Sequence, residues 1–492
     1  MVDRLAEAIG PDNLVSGEQA LRYASDATGA LGPGVVEGGR TGTTGAERQG
    51  AMVEAVALPR DACETQKIVA IAQDLGVPMV ARGGGTGLRG GAVPMAGGIV
   101  ISTERMKGAC EIHKEDLYAV AGAGVTVRDL RRQVEAAGLY FPIDPASEST
   151  ATVGGSVGDG AVGMHGLKYG TMRNYVLGLE VVTPDAKTLA LGARTVKNVA
   201  GYDLTRFMVG AEGVFAIVTS AILKLLPMGE RRVLAFDFAD GAGAGSAAAE
   251  IMKAGFDPAA LEIADATTMT AVREFLGRAA PGAVREHSAE LAREVLGATA
   301  EPAHPAILLV EFHGTGSLCA GEASKIKGML QKKFGARVRL EVDYPDAEAL
   351  WDLRKAALAA LGSRSSTVVV VDLLVPREKI PKVLDDLPVI ASRHRTEIAI
   401  FGHAGEGVLH AAFLTDARDR DAWLRTRAAM SAVAGACAGL GGSVSAERGI
   451  GLGSLPGPWP GISGVGLDVL GRIKRAVDPK GIMNPGKLGR EG

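Results

Sequence analysis

From Met52 to Pro227, short apolar runs alternate with amphipathic segments and glycine loops. Residues 51–59 (AMVEAVALP) read as a strand, 61–76 (DACETQKIVAIAQDLG) as a helix, and 77–85 (VPMVARGGG) as a strand entering a loop. In the helix, Ile68, Ile71, Ala72 and Leu75 recur at i, i+3, i+4 and i+7, the stripe of a helix lying on a sheet. Further strands are expected at 98–104, 117–125, 175–183 and 214–227, with a helix at 126–139. From Arg231 to Leu440 the grammar changes. Strands are expected at 233–240, 260–266, 306–314, 336–343, 366–376, 397–404 and 408–414, with helices at 321–335 and 346–361 between them. That order implies an α+β unit with its helices on one face of a sheet. The last fifty or so residues are glycine-rich loops and one helix ending in DPKGIMNPGKL, expected to pack back on the first unit.

Composition narrows the classes. A chain of 492 residues holds two to four domains at roughly 100–200 residues each. With 47% hydrophobic and 22% charged residues it can build real cores, and a net charge of −3 gives no sign of nucleic-acid binding. The cysteines Cys63, Cys110, Cys319 and Cys437 are scattered, which argues against a disulfide scaffold or an iron–sulfur module on this chain. The longest apolar stretch, Thr367–Val375, is interrupted by Asp372 and falls short of the ~20 residues of a spanning helix. The start, MVDRLAEAIG, is not a signal peptide, so a cytoplasmic protein with reduced cysteines is expected.

The 68 glycines are the outlier, about twice ordinary usage. Gly85-Thr86-Gly87-Leu88-Arg89-Gly90 matches G-x-G-x-x-G, but Gly91-Ala92-Val93-Pro94 follows and cannot continue as the helix a dinucleotide fingerprint needs. What survives is a loop of free backbone N–H groups with few Cβ atoms, suited to a pyrophosphate. A second run, Gly154-Gly155-Ser156-Val157-Gly158, matches G-x-S-x-G, yet its flanking glycines are expected to deny the strand and helix of a nucleophile elbow. The P-loop lysine pattern is absent.

Phe401 to His410 (FGHAGEGVLH) reads as strand, tight turn, strand. A turn centred on Glu406-Gly407 would set His403 opposite His410 on one sheet face. Two such imidazoles can share a cation, or can simply be packed residues. Arg354, in WDLRK, is either a carboxylate binder or a solvated helix residue. His165, in GMHGLKYG, reads as a loop histidine making local hydrogen bonds, the alternative being a proton carrier near a cofactor.

Three long segments, RGGGTGLRGGAVP, DPASESTATVGGSVGDGAVGMHGLKYGTMRNYVLGLEVVTPDA and RTVKNVAGYDLTRFMVGAEGVFAIVTSAILKLLP, resemble the FAD-binding domain of the vanillyl-alcohol-oxidase superfamily. Within it the chain is similar to the branch of glycolate oxidase catalytic subunits, D-lactate dehydrogenases and D-2-hydroxyglutarate dehydrogenases, from about residue 15 to the closing MNPGK. The resemblance implies an α+β protein: an FAD-binding domain of this type over 1–228, a substrate or cap domain with an antiparallel sheet over 229–440, and a returning segment over 441–492.

It further implies that FAD is held by Arg82, Gly83, Gly84, Gly85, Thr86, Gly87, Leu88 and Gly90, with Pro145, Thr152, Gly154, Gly155 and Gly158 along the cofactor. Asn198, Gly201, Tyr202, Glu212, Gly213, Ile217 and Asn484 complete that set. The first glycine loop lacks the His or Cys of covalent members, so the flavin is expected to be non-covalent. His403, His410 and Glu447 match the family's ligands for a divalent metal, zinc, iron or manganese, and Arg354 matches its carboxylate-binding arginine. Arg448 stands where the family usually has a catalytic histidine, and a guanidinium cannot accept a proton. Arg448 is therefore expected to bind substrate.

The implied activity is oxidation of a small D-2-hydroxy acid, with hydride passing to flavin N5 and electrons leaving to a protein or quinone acceptor through an iron–sulfur or electron-transfer flavoprotein subunit. Such a subunit could also hold the chain at a membrane. Two rivals stand beside it. One is an FAD-binding electron-transfer or structural subunit with an altered site, favoured by Arg448. The other is an alcohol or sugar oxidase of the same superfamily, which predicts covalent flavin and no metal.

Overall fold

The computed structural model describes residues 1–27, 53–108, 110–278, 306–444, 447, 449, 451 and 464–487. The first half holds two sheets. In one, Leu14–Val15, Val53–Ala57, Gly98–Ser102 and Met79–Arg82 lie in that order, the last three parallel. Its helix, Ala62–Leu75, is started by the Asp61 side chain accepting from Glu64 N and stopped by Gly76 in the left-handed region. The buried stripe is Ile68, Val69, Ile71 and Ala72; Leu75, expected within it, is exposed because the helix ends there. The second sheet is antiparallel, in the order Glu111–His113, Tyr118–Gly122, Ile217–Lys224, Val176–Val182, Thr188–Gly192.

The second half is built on one eight-stranded antiparallel sheet. Its order is Arg337–Asp343, Glu230–Phe238, Ala306–Gly314, Ala260–Asp265, Glu397–His403, Val408–Thr415, Thr367–Leu374, Ser443–Val444. Helices cover both faces, not the one expected from sequence. Gly241–Lys253, Gly316–Phe334, Ile380–His394 and Arg420–Gly439 pack on one side, and Ala266–Arg278, Asp346–Lys355 and Ala357–Arg364 on the other. The reason lies in the strands: Ala306–Gly314 and Thr367–Leu374 are buried at nearly every residue and have no solvent face. The helix expected over 346–361 breaks at Ala356.

On the second face a row of polar side chains crosses the apolar sheet. Arg231 pairs with His313, Glu311 with Ala260, Glu262 with His403, Phe401 with His410, and His410 with Asp372. Residues paired in register, and those two apart on a strand, share a face. Buried charge of this kind must be paired or neutralised. The C-terminal segment returns to the first sheet, where Met483 bridges Met79 and Asn484 N donates to Met79 O at 2.7 Å. Among the described residues no helix is long and apolar enough to cross a membrane.

Candidate functional site

The first glycine loop leaves the strand Met79–Arg82 and lies against the second glycine run. A Cβ on Gly83 would meet Thr152 Oγ1 and Gly155 Cα, and one on Gly84 would run into the Thr150 carbonyl. Glycine is required there because two backbones touch. Thr152 accepts from Gly155 N at 3.2 Å and starts a short helix, Val153–Asp159. This helix is not expected from the flanking glycines. It forms because Thr152 caps it, but Ser156 lies buried inside it and no strand precedes it, so it is no nucleophile elbow.

Arg82 to Leu88, Pro145, Thr152, Gly154, Gly155, Gly158, Glu212, Gly213 and Ile217 line one cavity of about 900 Å³, at the upper end of ligand clefts. Gly90 and Asn484 are buried but do not line it. Asn484 Nδ2 donates to Gly91 O at 2.9 Å and Glu212 O at 2.7 Å, and Lys487 Nζ donates to the carbonyls of Gly90 and Val93, so the returning segment staples the loop to the opposite wall. Asn198, Gly201 and Tyr202 lie elsewhere. They are exposed, Tyr202 at 94%, and line no part of this cavity.

Arg354, His403, His410 and Glu447 open onto the same cavity. The hairpin register differs from the one expected. The turn takes four residues, Ala404 to Gly407, so His403 pairs with Val408 and His410 with Phe401. The two histidines are diagonal neighbours on one face, still close enough for ring contact, with centroids 5.2 Å apart. Between them sits Glu447: His403 Nε2 is 3.1 Å from its Oε1 and His410 Nε2 is 3.5 Å from its Oε2. The outer nitrogens are held from behind, His403 Nδ1 by Glu262 Oε1 at 2.5 Å and His410 Nδ1 by Asp372 Oδ1 at 2.8 Å. Two Nε2 atoms and a carboxylate facing one point, each ring fixed by a carboxylate, is a donor set that fits a divalent cation. Burial would lower His403, but Glu262 and Glu447 outweigh it and raise it well above its ordinary value. Burial would raise Glu447, and His403 and His410 reverse that.

Arg354 is buried, not solvated. Its Nε donates to Glu262 Oε2 at 2.8 Å, and its guanidinium lies over the Phe401 ring at 4.8 Å. Glu262 thus positions both Arg354 and His403. Sequence reasoning missed it, and noted Asp372 only as a break in an apolar run. The available signal is the same for both, an acid flanked by apolar strand residues: Glu262 between Leu261 and Ile263, Asp372 between Val371 and Leu373. Arg448 lies outside the described residues. The His165 carbonyl accepts locally from Tyr169 N at 3.1 Å, but its ring reaches far along the chain, buried between Asp144 Oδ2 at 2.9 Å and Glu311 Oε2 at 2.7 Å.

Two family models match the chain, "FAD binding domain" over 53–192 and "FAD linked oxidases, C-terminal domain" over 228–488. The chain is 34% identical over 438 residues to the Glycolate oxidase subunit GlcD of Bacillus subtilis, covering 89% of each. It is 33% identical over 441 residues to the D-lactate dehydrogenase of Archaeoglobus fulgidus, covering 89% of this chain and 91% of that protein. Among solved structures it resembles p-cresol methylhydroxylase with substrate bound, at TM-score 0.74 and 16% identity over 99% of this chain and 95% of that one, a likeness of fold.

Proposed function

The chain belongs to the FAD-linked oxidase family, and on that premise we propose that it oxidises a D-2-hydroxy acid of the glycolate or D-lactate kind to the 2-oxo acid. It is an FAD-linked oxidoreductase of the vanillyl-alcohol-oxidase fold. The observation that carries the substrate class is the convergence of two kinds of group on one cavity, a glycine cradle and the set Arg354, His403, His410 and Glu447.

When bound, the flavin supplies the hydride acceptor and a divalent cation the charge that acidifies a hydroxyl. The glycine loop and Thr152 would hold the cofactor without a covalent tether, and His403, His410 and Glu447 would hold the cation. Arg354, aimed by Glu262 and packed on Phe401, orients the substrate carboxylate by its guanidinium fork. Arg448 follows Glu447 in sequence and supplies a second binding group, always protonated. Electrons then pass to a partner subunit carrying an iron–sulfur centre or flavin. The name of the Bacillus subtilis relative, a subunit, supports that step. We assign 1–228 to the FAD-binding part, 229–440 to the substrate part and 441–492 to a C-terminal segment, whose residues Ile473, Val477, Ile482 and Met483 pack on the first.

Arg448 also supports a second reading, an FAD-binding subunit with lost hydroxy-acid chemistry. Mixing the protein under argon with a panel of D- and L-2-hydroxy acids separates the two. Bleaching of the flavin by at least one D-2-hydroxy acid is expected. Reduction by dithionite but by no acid would establish the second reading instead.

A further inference from the structure

Farther along the polar row, Glu311 and His313 of the strand Ala306–Gly314 meet His165, which precedes the short helix Gly166–Tyr169. His165 Nε2 is 2.7 Å from Glu311 Oε2, and His313 Nε2 is 2.9 Å from Glu311 Oε1. The outer nitrogens are again held from behind, His165 Nδ1 by Asp144 Oδ2 at 2.9 Å and His313 Nδ1 by Tyr169 Oη at 2.8 Å. This repeats the plan at Glu447: one carboxylate shared by two Nε2 atoms, with each ring fixed through its far nitrogen. His165 and Glu311 are almost wholly buried, and His313 is 7% exposed.

A second observation separates this cluster from an ordinary buried ion pair. His313 Nε2 and Glu311 Oε1 are close, yet neither makes a hydrogen bond to any described residue. A hydrogen bond requires the N–H to point at its acceptor. Here the nitrogen and oxygen are 2.9 Å apart without that alignment, as two ligands of a third atom can be. A protonated His165 shared between Asp144 and Glu311 would satisfy its own ring, but would leave those two atoms orphaned in the interior. A cation on all three donors satisfies them together.

We propose that His165, Glu311 and His313 form a second divalent-cation site, of the zinc type, tying the FAD-binding part to the eight-stranded sheet. Two neutral imidazoles and a carboxylate suit zinc, and a water completes the tetrahedron. The Tyr140 hydroxyl is a fitting partner for that water. It is buried without a hydrogen-bond partner among the described residues, and its ring lies 5.5 Å from that of His313. The role is structural: His165 lies outside the sheet and in a different part of the chain from Glu311 and His313.

The test is metal content per chain in holoprotein grown with zinc and purified without chelator, for wild type, His403→Ala, His313→Gln and the double variant. The cluster at Glu447 is removed by the first substitution, so the second site reports alone in that background. An equivalent of zinc retained in His403→Ala and lost on adding His313→Gln supports the site, whether or not the Glu447 cluster binds metal. Equal metal in His403→Ala and the double variant overturns it. Should His313→Gln fail to fold, anomalous scattering at the zinc edge from wild-type crystals decides. A peak among the three side chains supports the site, and its absence there overturns it.

Discussion

Glu262 shows how much one residue can carry. One carboxylate oxygen holds His403 Nδ1 and the other holds Arg354 Nε, so the direction of a candidate ligand and of a candidate substrate anchor are set by the same side chain. Burial would raise Glu262, and His403 and Arg354 together bring it below its ordinary value. Glu262→Gln keeps the shape and removes the charge. Loss of a group behind a ligand typically costs about 10- to 100-fold in metal affinity or activity. The expected outcome is a fall of that order in kcat/KM with flavin content unchanged, read by steady-state kinetics and flavin absorbance per chain. At this scale the short motifs around His403, His410, Glu447 and Arg354 single out four residues that the structure gathers on one cavity. The sequence does not give the partners of Glu262, Asp372 and Glu311, because an acid among apolar strand residues carries no spacing signal. Only the register that sets Glu262 against His403 reveals its partners.

Among the elements, the glycine loop was legible and the hairpin register was not. A run of glycines between a strand and Pro94 can only be a loop, whereas the loop FGHAGEGVLH permits a two-residue or a four-residue turn. The four-residue turn shifts the pairing by two and leaves both histidines on the same face, since side chains alternate with period two. Helix placement on both faces of the large sheet was hidden for another reason. A continuous apolar strand reports burial, but not what buries it. Gly87 offers a clean test of the loop. A Cβ there would come no nearer than 3.7 Å to Asp26, and Gly87 lines the cavity, so a side chain has room to fold but enters ligand space. Gly87→Val should fold with the wild-type circular dichroism and lose most of its flavin. Stoichiometric flavin in that variant would show that the cofactor does not lie against the loop.

Over the whole molecule, a buried ionic cluster joins the two halves. Lys355 pairs with Glu148 across them at 2.9 Å, Arg131 with Glu348 at 3.8 Å and Arg231 with Glu135 at 3.8 Å, while Arg131 also holds Glu148 at 2.5 Å within the first half. Removing one member of a buried pair leaves uncompensated charge and costs about 3–5 kcal/mol. Glu148→Gln removes the nearest carboxylate of Lys355 and of Arg131 at once, so its unfolding temperature, followed by release of flavin fluorescence, should fall clearly. Burial would raise the Glu148 carboxyl, but Lys355 and Arg131 hold it below its ordinary value. Its contribution is therefore present above the ordinary glutamate range near pH 4.5 and is lost as pH falls through the lower folded value. The variant's acid limb should be flatter than that of the wild type, and an identical limb would remove Glu148 from the account. Neither these pairs nor the row across the sheet was legible in the sequence, because their members come from distant segments.

The central claim is that hydride leaves the α-carbon of a 2-hydroxy acid beside the Glu447 cluster. It is tested most directly by anaerobic stopped-flow reduction of the flavin with D-lactate and with D-lactate deuterated at C2, in wild type and His403→Ala. The account predicts flavin bleaching in wild type that is slowed by the deuterium, and little or no bleaching in the variant despite full flavin content. Bleaching at the same rate with both isotopes and in both proteins would contradict it.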